Sequence, residues 1–217
     1  MSSSKVPAGG ALSGRVGGGG QLRPEPGVHP AGLLLEANVE LLGEPGVILD
    51  GQRRGSVLQV DADGLVVRLC DLTLRNGAAE VGGGLLVSGW SDVRLERCVI
   101  EGNTATLSGG GSGGGVYLHR GTLRMEACVI RDNIANSASA LCITGAARAE
   151  LCGGRVEGDI VLSEGAELTL DGVHVTGKVT ARGTTTRAPT LILRGAQIDG
   201  GVENDVNLPA HVVVEAG

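Results

Sequence analysis

Apolar positions along this chain follow one phrase that returns with drift. Val93-Arg-Leu95-Glu-Arg-Cys98-Val-Ile100-Glu-Gly-Asn103-Thr-Ala105 comes back as Leu123-Arg-Met125-Glu-Ala-Cys128-Val-Ile130-Arg-Asp-Asn133-Ile-Ala135. Its skeleton is an inward pair, a two-residue turn and a second inward pair. Upstream it reads Val67-x-Leu69-x-x-Leu72-x-Leu74, and before that Val39-x-Leu41 with Val47-x-Leu49 after a longer turn. Downstream it reads Ala149-x-Leu151-x-x-Gly154-x-Val156, then Leu168 to Val175, then Leu191 to Ile198. With Leu69, Leu95, Met125, Leu151, Leu170 and Leu193 taken as equivalent, successive copies lie 26, 30, 26, 19 and 23 residues apart. The skeleton hardly changes, so these differences are turn insertions.

A third short alternation precedes each pair: Leu58-x-Val60, Leu85-x-Val87, Val116-x-Leu118, Leu141-x-Ile143, Ile160-x-Leu162 and Val179-x-Ala181. Period-two alternation broken by Gly, Asn, Asp and Ser predicts three short strands per copy and no helix. A unit too short to bury its own apolar face has to stack on copies of itself. Three strands per turn make a triangular coil, and coils stacked about 4.8 Å apart pair each strand in parallel with its equivalents above and below. The predicted fold is all-β, a single parallel β-helix of about seven three-strand coils over residues 33–217. Residues 1–32, with Gly17 to Gly20 and the Pro24-Glu-Pro26 turn, are expected to form a flexible segment and a cap that shields the first coil's unpaired edge.

Composition adds to this picture. Thirty-nine glycines suit turns of positive φ, and the near absence of aromatic rings, with no Phe, one Trp and one Tyr, suits a narrow aliphatic core. No apolar run is long enough to span a membrane, and no secretory leader is visible, so the cytoplasm is the expected compartment. A net charge of −6 without a basic, aromatic-rich patch argues against nucleic acid.

On these repeats, residues 33 to 214 resemble the right-handed parallel β-helix superfamily of pectate-lyase-like proteins. Residues 82 to 135 resemble the repeats of polymorphic outer-membrane proteins, through Gly82-Gly83-Gly84-Leu85, Gly113-Gly114-Gly115-Val116, Ile100-Glu-Gly-Asn103 and Ile130-Arg-Asp-Asn133. In the second motif Ile replaces the family's aromatic residue. The first resemblance implies a right-handed coil and opens the prospect of carbohydrate chemistry; the second implies architecture alone.

Five cysteines are present. Cys98 and Cys128 share an inward position on successive coils, where they either pack as small hydrophobes or, at a one-coil separation, form a disulfide. An odd count with no leader favours reduced thiols. No Cys-x-x-Cys occurs and the four histidines are scattered, so no metal and no cofactor is expected.

Arg68, Arg94 and Arg124 recur at one outward position, with Glu96 and Glu126 two residues along. This pattern is either an anion or acidic-sugar groove of the kind the superfamily uses on uronates, or a lattice of opposite charges. Calcium-assisted lyase chemistry asks for converging carboxylates. Asp61, Asp63, Asp92, Asp132 and Asp171 fall in different turns and strands, so no catalytic residue is assigned. Trp90 either covers a turn or serves as a sugar platform. Gly172 to Lys178 has phosphate-loop spacing but lacks the hydroxyl residue and the helix, and Ser108 to Gly115 is expected to be a mobile loop. Asn103 and Asn133 are expected to be turn residues with left-handed φ.

Residues 75–84, 101–115 and 131–140 make long loops on one edge. Beside them Leu86, Tyr117, Cys142 and Val161 form an outward apolar stack, which suggests an occluded surface. The leading expectation is a non-catalytic scaffold or interaction module that binds a protein partner or self-associates through this stack and loop edge. The alternative is a carbohydrate-active enzyme, a lyase, hydrolase or epimerase, with a polysaccharide as partner. Candidate binding residues are Leu86, Tyr117, Cys142, Val161, Arg68, Arg94, Arg124 and Trp90. Neither nucleic acid nor membrane insertion is expected.

Overall fold

The computed structural model describes residues 3–106, 110–183, 187–204 and 211–215. Every strand pairing in the coils is parallel, and the strands stack as three faces of a solenoid. The first face carries Leu58–Val60, Leu85–Val87, Val116–His119, Leu141–Thr144, Ile160–Ser163 and Val179–Arg182 in direct succession. The second carries Asp92–Glu96, Thr122–Glu126, Arg148–Cys152, Glu167–Asp171 and Thr190–Arg194. The third carries Val99–Glu101, Val129–Arg131, Arg155–Val156, His174–Val175 and Gln197–Ile198. This is the parallel β-helix that the alternation predicts. The ladders also run through the first 32 residues, where Ser3–Val6 pairs with Gly20–Pro24 and Leu12–Val16 pairs with residues 31–35.

Inward residues of equivalent strands form continuous buried columns. Leu85, Val116, Leu141, Ile160 and Val179 make one, and Leu69, Leu95, Met125, Leu151 and Leu170 another, each at most 2% exposed. Aliphatic columns fit because equivalent side chains stand one strand spacing apart and branched residues interdigitate at that distance. Cys98 and Cys128 occupy such a column, and all five cysteines are free thiols. The Cys98 N–H donates to Cys128 Sγ at 3.4 Å. A separate hydrogen bond between the two thiols, together with burial, pushes the Cys98 thiol well above its ordinary pKa, which makes it inert.

The corner between the second and third faces places a left-handed residue at its first position, and in one coil Gly154 at the second position is left-handed too, at φ 83°. Asp71, Arg97, Ala127, Gly153, Gly172 and Gly195 take φ between 50° and 61° at this corner. From Asp71 onward the turn therefore stays two residues long, whereas the preceding coil inserts residues between Leu42 and Val47.

Asn103 and Asn133 are not the left-handed residues of their turns. Gly102 and Asp132, one position earlier, carry the positive φ of 63° and 55°. The asparagines point into the core instead, at 0% and 8% exposure, and form a ladder. Gly77 N–H donates to Asn103 Oδ1 at 2.8 Å, and Asn103 N–H donates to Asn133 Oδ1 at 3.0 Å. The amide nitrogens donate to the Leu74 and Ile100 carbonyls at 3.1 and 2.9 Å. A buried corner leaves backbone groups that no strand can satisfy, and the side-chain amide, which both donates and accepts, satisfies them.

The glycine triplets are the other half of this corner. A Cβ on Gly84 would stand 2.9 Å from Asn103 Nδ2, and one on Gly115 would stand 3.0 Å from Asn133 Nδ2. In the next coil the triplet position reads Ala138-Ser139-Ala140, and the residue equivalent to the asparagine is the exposed Asp159. The Gly-Gly-Gly and Asn motifs thus form one interlocking unit.

The long loops are ordered by the same stacking. Ala78–Ala79, Thr104–Ala105 and Ile134–Ala135 make a small parallel sheet, and Val81, Ser112 and Ser137 are bridged in register. Residues 110–115 of the expected mobile loop belong to this layer; 107–109 lie outside the described residues. Of the chain's last segment, the strand His211–Glu215 pairs with Thr190–Arg194, while Leu208, Pro209 and Ala210 lie outside the described residues.

Candidate functional site

The second face is the most elaborated surface. Its outward positions form a lattice in which Glu40, Arg68, Arg94, Arg124 and Glu150 are successive neighbours in one column. The parallel column two residues along carries Cys70, Glu96, Glu126 and Cys152. Arg68 binds Glu96 through Nε and Nη2 at 3.0 and 3.1 Å, and Arg94 binds Asp92 at 2.8 Å. Arg124 approaches Glu150 at 3.4 Å. Each arginine of the stack therefore has a carboxylate, and opposite charges offset the like-charge stacking along the column.

The Arg68 bond holds the Glu96 carboxyl below its ordinary value, so Glu96 is ionised. The carboxylate of Glu126, directly beside it in register, has no hydrogen bond or ion pair among the described residues. Arg94, Leu95, Glu96, Arg124, Met125, Glu126, Glu150 and Cys152 line an open hollow of about 330 Å³. Over residues 92 to 167 the face presents Asp92, Glu96, Glu126, Glu150 and Glu167 against Arg94, Arg124 and Arg148, an excess of negative charge. Such a surface repels polyanions. Among the described residues no group of three His, Cys, Asp or Glu side chains could hold a metal ion.

Glu150 was legible as a partner of Arg124, because Ala149-x-Leu151 aligns with Leu123-x-Met125. Two other clusters join residues at aligned positions that the sequence reading did not single out. Arg97 forks onto Asp71 with both contacts at 2.7 Å, and this pairing depresses the Asp71 carboxyl. On the third face, Arg155 donates to His174 Nδ1 and His174 Nε2 meets Asp199, both at 2.8 Å. An arginine only donates, so His174 carries its proton on Nε2 there.

The outward stack of the first face is where alternation puts it. Leu86 and Tyr117 are half-buried, while Cys142 and Val161 are buried, at 7% and 6% exposure, against Ala138 of the chain's own loop. Burial pushes the Cys142 thiol up to about 11 and raises the Tyr117 phenol. Trp90 stands 53% exposed in the turn before Asp92–Glu96.

Fold and face together define a parallel β-helix with an open, mixed-charge groove. No family model matches the sequence, and no curated protein is significantly similar to it. Among solved structures, the crystal structure of the pectin methylesterase from Aspergillus niger is similar with a TM-score of 0.49 and 13% identity, over 95% of this chain and 77% of that one. Among the described residues no helix is long and apolar enough to cross a membrane.

Proposed function

We propose that this protein is a carbohydrate-active β-helix that holds a polysaccharide along its second face and hydrolyses it with Glu96 and Glu126. The observation that carries this reading is the pair of carboxylates in register in the hollow, one bound by Arg68 and one unpartnered. Glycoside hydrolysis uses one ionised carboxylate and a second that exchanges a proton. Glu96 meets the first requirement and Glu126 is free to meet the second. Adjacent strands stand about 4.8 Å apart, on the order of the ~5 Å between the carboxyl groups of retaining glycosidases.

The test is release of reducing ends from xylan, glucomannan, mixed-linkage glucan and polygalacturonate, with Glu126→Gln and Glu96→Gln as controls. Loss of at least a hundredfold in either variant, with retention of the polysaccharide in affinity electrophoresis, supports the assignment. Absence of both cleavage and retention overturns the reading. A calcium-assisted lyase is disfavoured because no three carboxylates among the described residues converge closely enough to hold the ion, and unsaturated products from polygalacturonate would revive it.

A second reading, an interaction module that binds a protein or a second copy, is favoured by Leu86 and Tyr117, which stay half-exposed on the outer first face. Tyr117→Glu would then change oligomeric state or partner capture while leaving saccharide retention intact.

A further inference from the structure

We infer that the hollow beside Trp90 is a subsite for a neutral pyranose, an inference that rests on the saccharide reading and narrows its substrate class. Trp90 is the chain's single tryptophan, and its backbone is pinned from both sides. Its N–H donates to Asp63 Oδ1 and its carbonyl accepts from Gly64 N–H, both at 2.8 Å. The next residue repeats the clamp, with Ser91 Oγ donating to the Ala62 carbonyl at 2.6 Å and accepting from Leu65 N–H at 3.1 Å. The indole is thus presented from a rigid turn, 53% exposed, with Val66 beside it 50% exposed. An exposed indole next to an exposed valine is an apolar platform that water solvates poorly.

The surroundings select the ligand. The hollow holds about 280 Å³, and Ser91, Asp92 and Thr122 line it together with Trp90 and Val66. Thr122 makes no side-chain hydrogen bond among the described residues. A pyranose has an apolar C–H face to lay on the indole and a rim of hydroxyls to meet Thr122 and Asp92 Oδ2, the carboxylate oxygen that Arg94 also binds. Charge decides which pyranose. Asp61, Asp63 and Asp92 are the acidic groups around the turn; of the nearby cations, Arg94 on the same strand as Asp92 is engaged by it at 2.8 Å, and Arg120 stands exposed beside the lining Gly121. A uronate carboxylate would face three carboxylates against Arg120, a net repulsion that a neutral sugar does not meet.

The subsite is also connected. Val66 is shared with a second hollow of about 340 Å³ over Gly19, Gly20 and Asn38. Thr122 is shared with a hollow of about 260 Å³ that includes Arg124 and Glu150. A chain seated on Trp90 therefore has a continuous path to the groove that holds Glu96 and Glu126.

A single tryptophan makes the readout direct. Intrinsic fluorescence would be titrated with cellohexaose, xylohexaose, mannohexaose and hexagalacturonate, and calorimetry would repeat the series on Trp90→Ala and Trp90→Phe. The expected result is a saturable change in the Trp90 emission with at least one neutral hexamer, binding at least tenfold weaker for hexagalacturonate, a loss of at least tenfold in Trp90→Ala and partial retention in Trp90→Phe. If a neutral hexamer binds the wild type and Trp90→Ala equally, the subsite is refuted while the Glu96/Glu126 groove stands. If hexagalacturonate binds as tightly as the neutral hexamers and changes the emission, the neutral assignment is refuted. If no saccharide binds the wild type, both this inference and the function it rests on fall.

Discussion

Replacing Asn103 with alanine removes the side chain that closes the corner between the third face and the loop layer. Three bonds go with it: the one accepted from Gly77 N–H, and those donated to the Leu74 carbonyl and to Asn133 Oδ1. Asn133 Oδ1 keeps the Asn103 backbone N–H at 3.0 Å, so two buried groups, on Gly77 and Leu74, lose this partner. An orphaned buried group costs about 1–3 kcal/mol, which puts the loss at about 3 kcal/mol. Asn103→Leu should lose about as much, since it restores volume without restoring any bond. Asn133→Ala gives up the bond to the Ile100 carbonyl and strands the Asn103 backbone N–H. The double variant should therefore depart from additivity by about 1 kcal/mol. The assay is urea denaturation with Arg94→Ala as an outward control, expected to shift stability by less than about 0.5 kcal/mol. Solenoids unfold in units of neighbouring repeats, so hydrogen exchange at Gly77 supplies a local readout that does not assume a single transition. A loss below about 1 kcal/mol in both Asn103 variants, with the Gly77 amide still protected, would refute the reasoning.

Cys98→Ala should cost on the order of 1 kcal/mol through lost packing, and neither Cys98 nor Cys128 should react with a thiol reagent in the native protein; rapid labelling of both would contradict their burial. Ala127 sits exposed at φ 50° where later coils use Gly153, Gly172 and Gly195, so Ala127→Gly should stabilise the protein by about 0.5 kcal/mol in thermal unfolding. Burial raises the Asp50 carboxyl, but bonds from Gln52 N–H, Asn76 and Arg75 outweigh it and hold the folded-state value below the ordinary one. A depressed folded value gives stability that is present above the unfolded pKa of about 4 and lost as pH falls through the folded one. The melting-temperature gap between wild type and Asp50→Asn should accordingly be widest near neutral pH and close below about pH 4; a gap independent of pH would remove Asp50 from this role.

Much of the fold was written in local alternation. Leu85-x-Val87 followed by Val93-x-Leu95 and Cys98-x-Ile100 states which side chains face inward, because a strand can bury only alternate residues. Repetition of that order states that the coils stack. The same alignment put Arg68, Arg94 and Arg124 in one column and set Glu96 beside Glu126, since parallel pairing preserves register. Composition carried the narrowness of the core, in which aliphatic columns leave little room for rings.

Tertiary structure decided what depends on where the chain closes rather than on alternation. Asn103 looks like a turn residue in sequence, yet the left-handed position falls on Gly102, and closure of the corner turns the Asn103 amide inward to satisfy Gly77 and Leu74. The outward stack of Cys142 and Val161 is covered because Ala138 folds back over it, a contact that no strand period encodes. Whether Glu126 is free depends on arginines from neighbouring coils taking other carboxylates first, as Arg68 takes Glu96 and Arg124 takes Glu150. Alternation is a property of a few residues in a row, whereas pairing, coverage and free valence are settled between residues about 20 to 30 positions apart, and only the stacked coil brings those together.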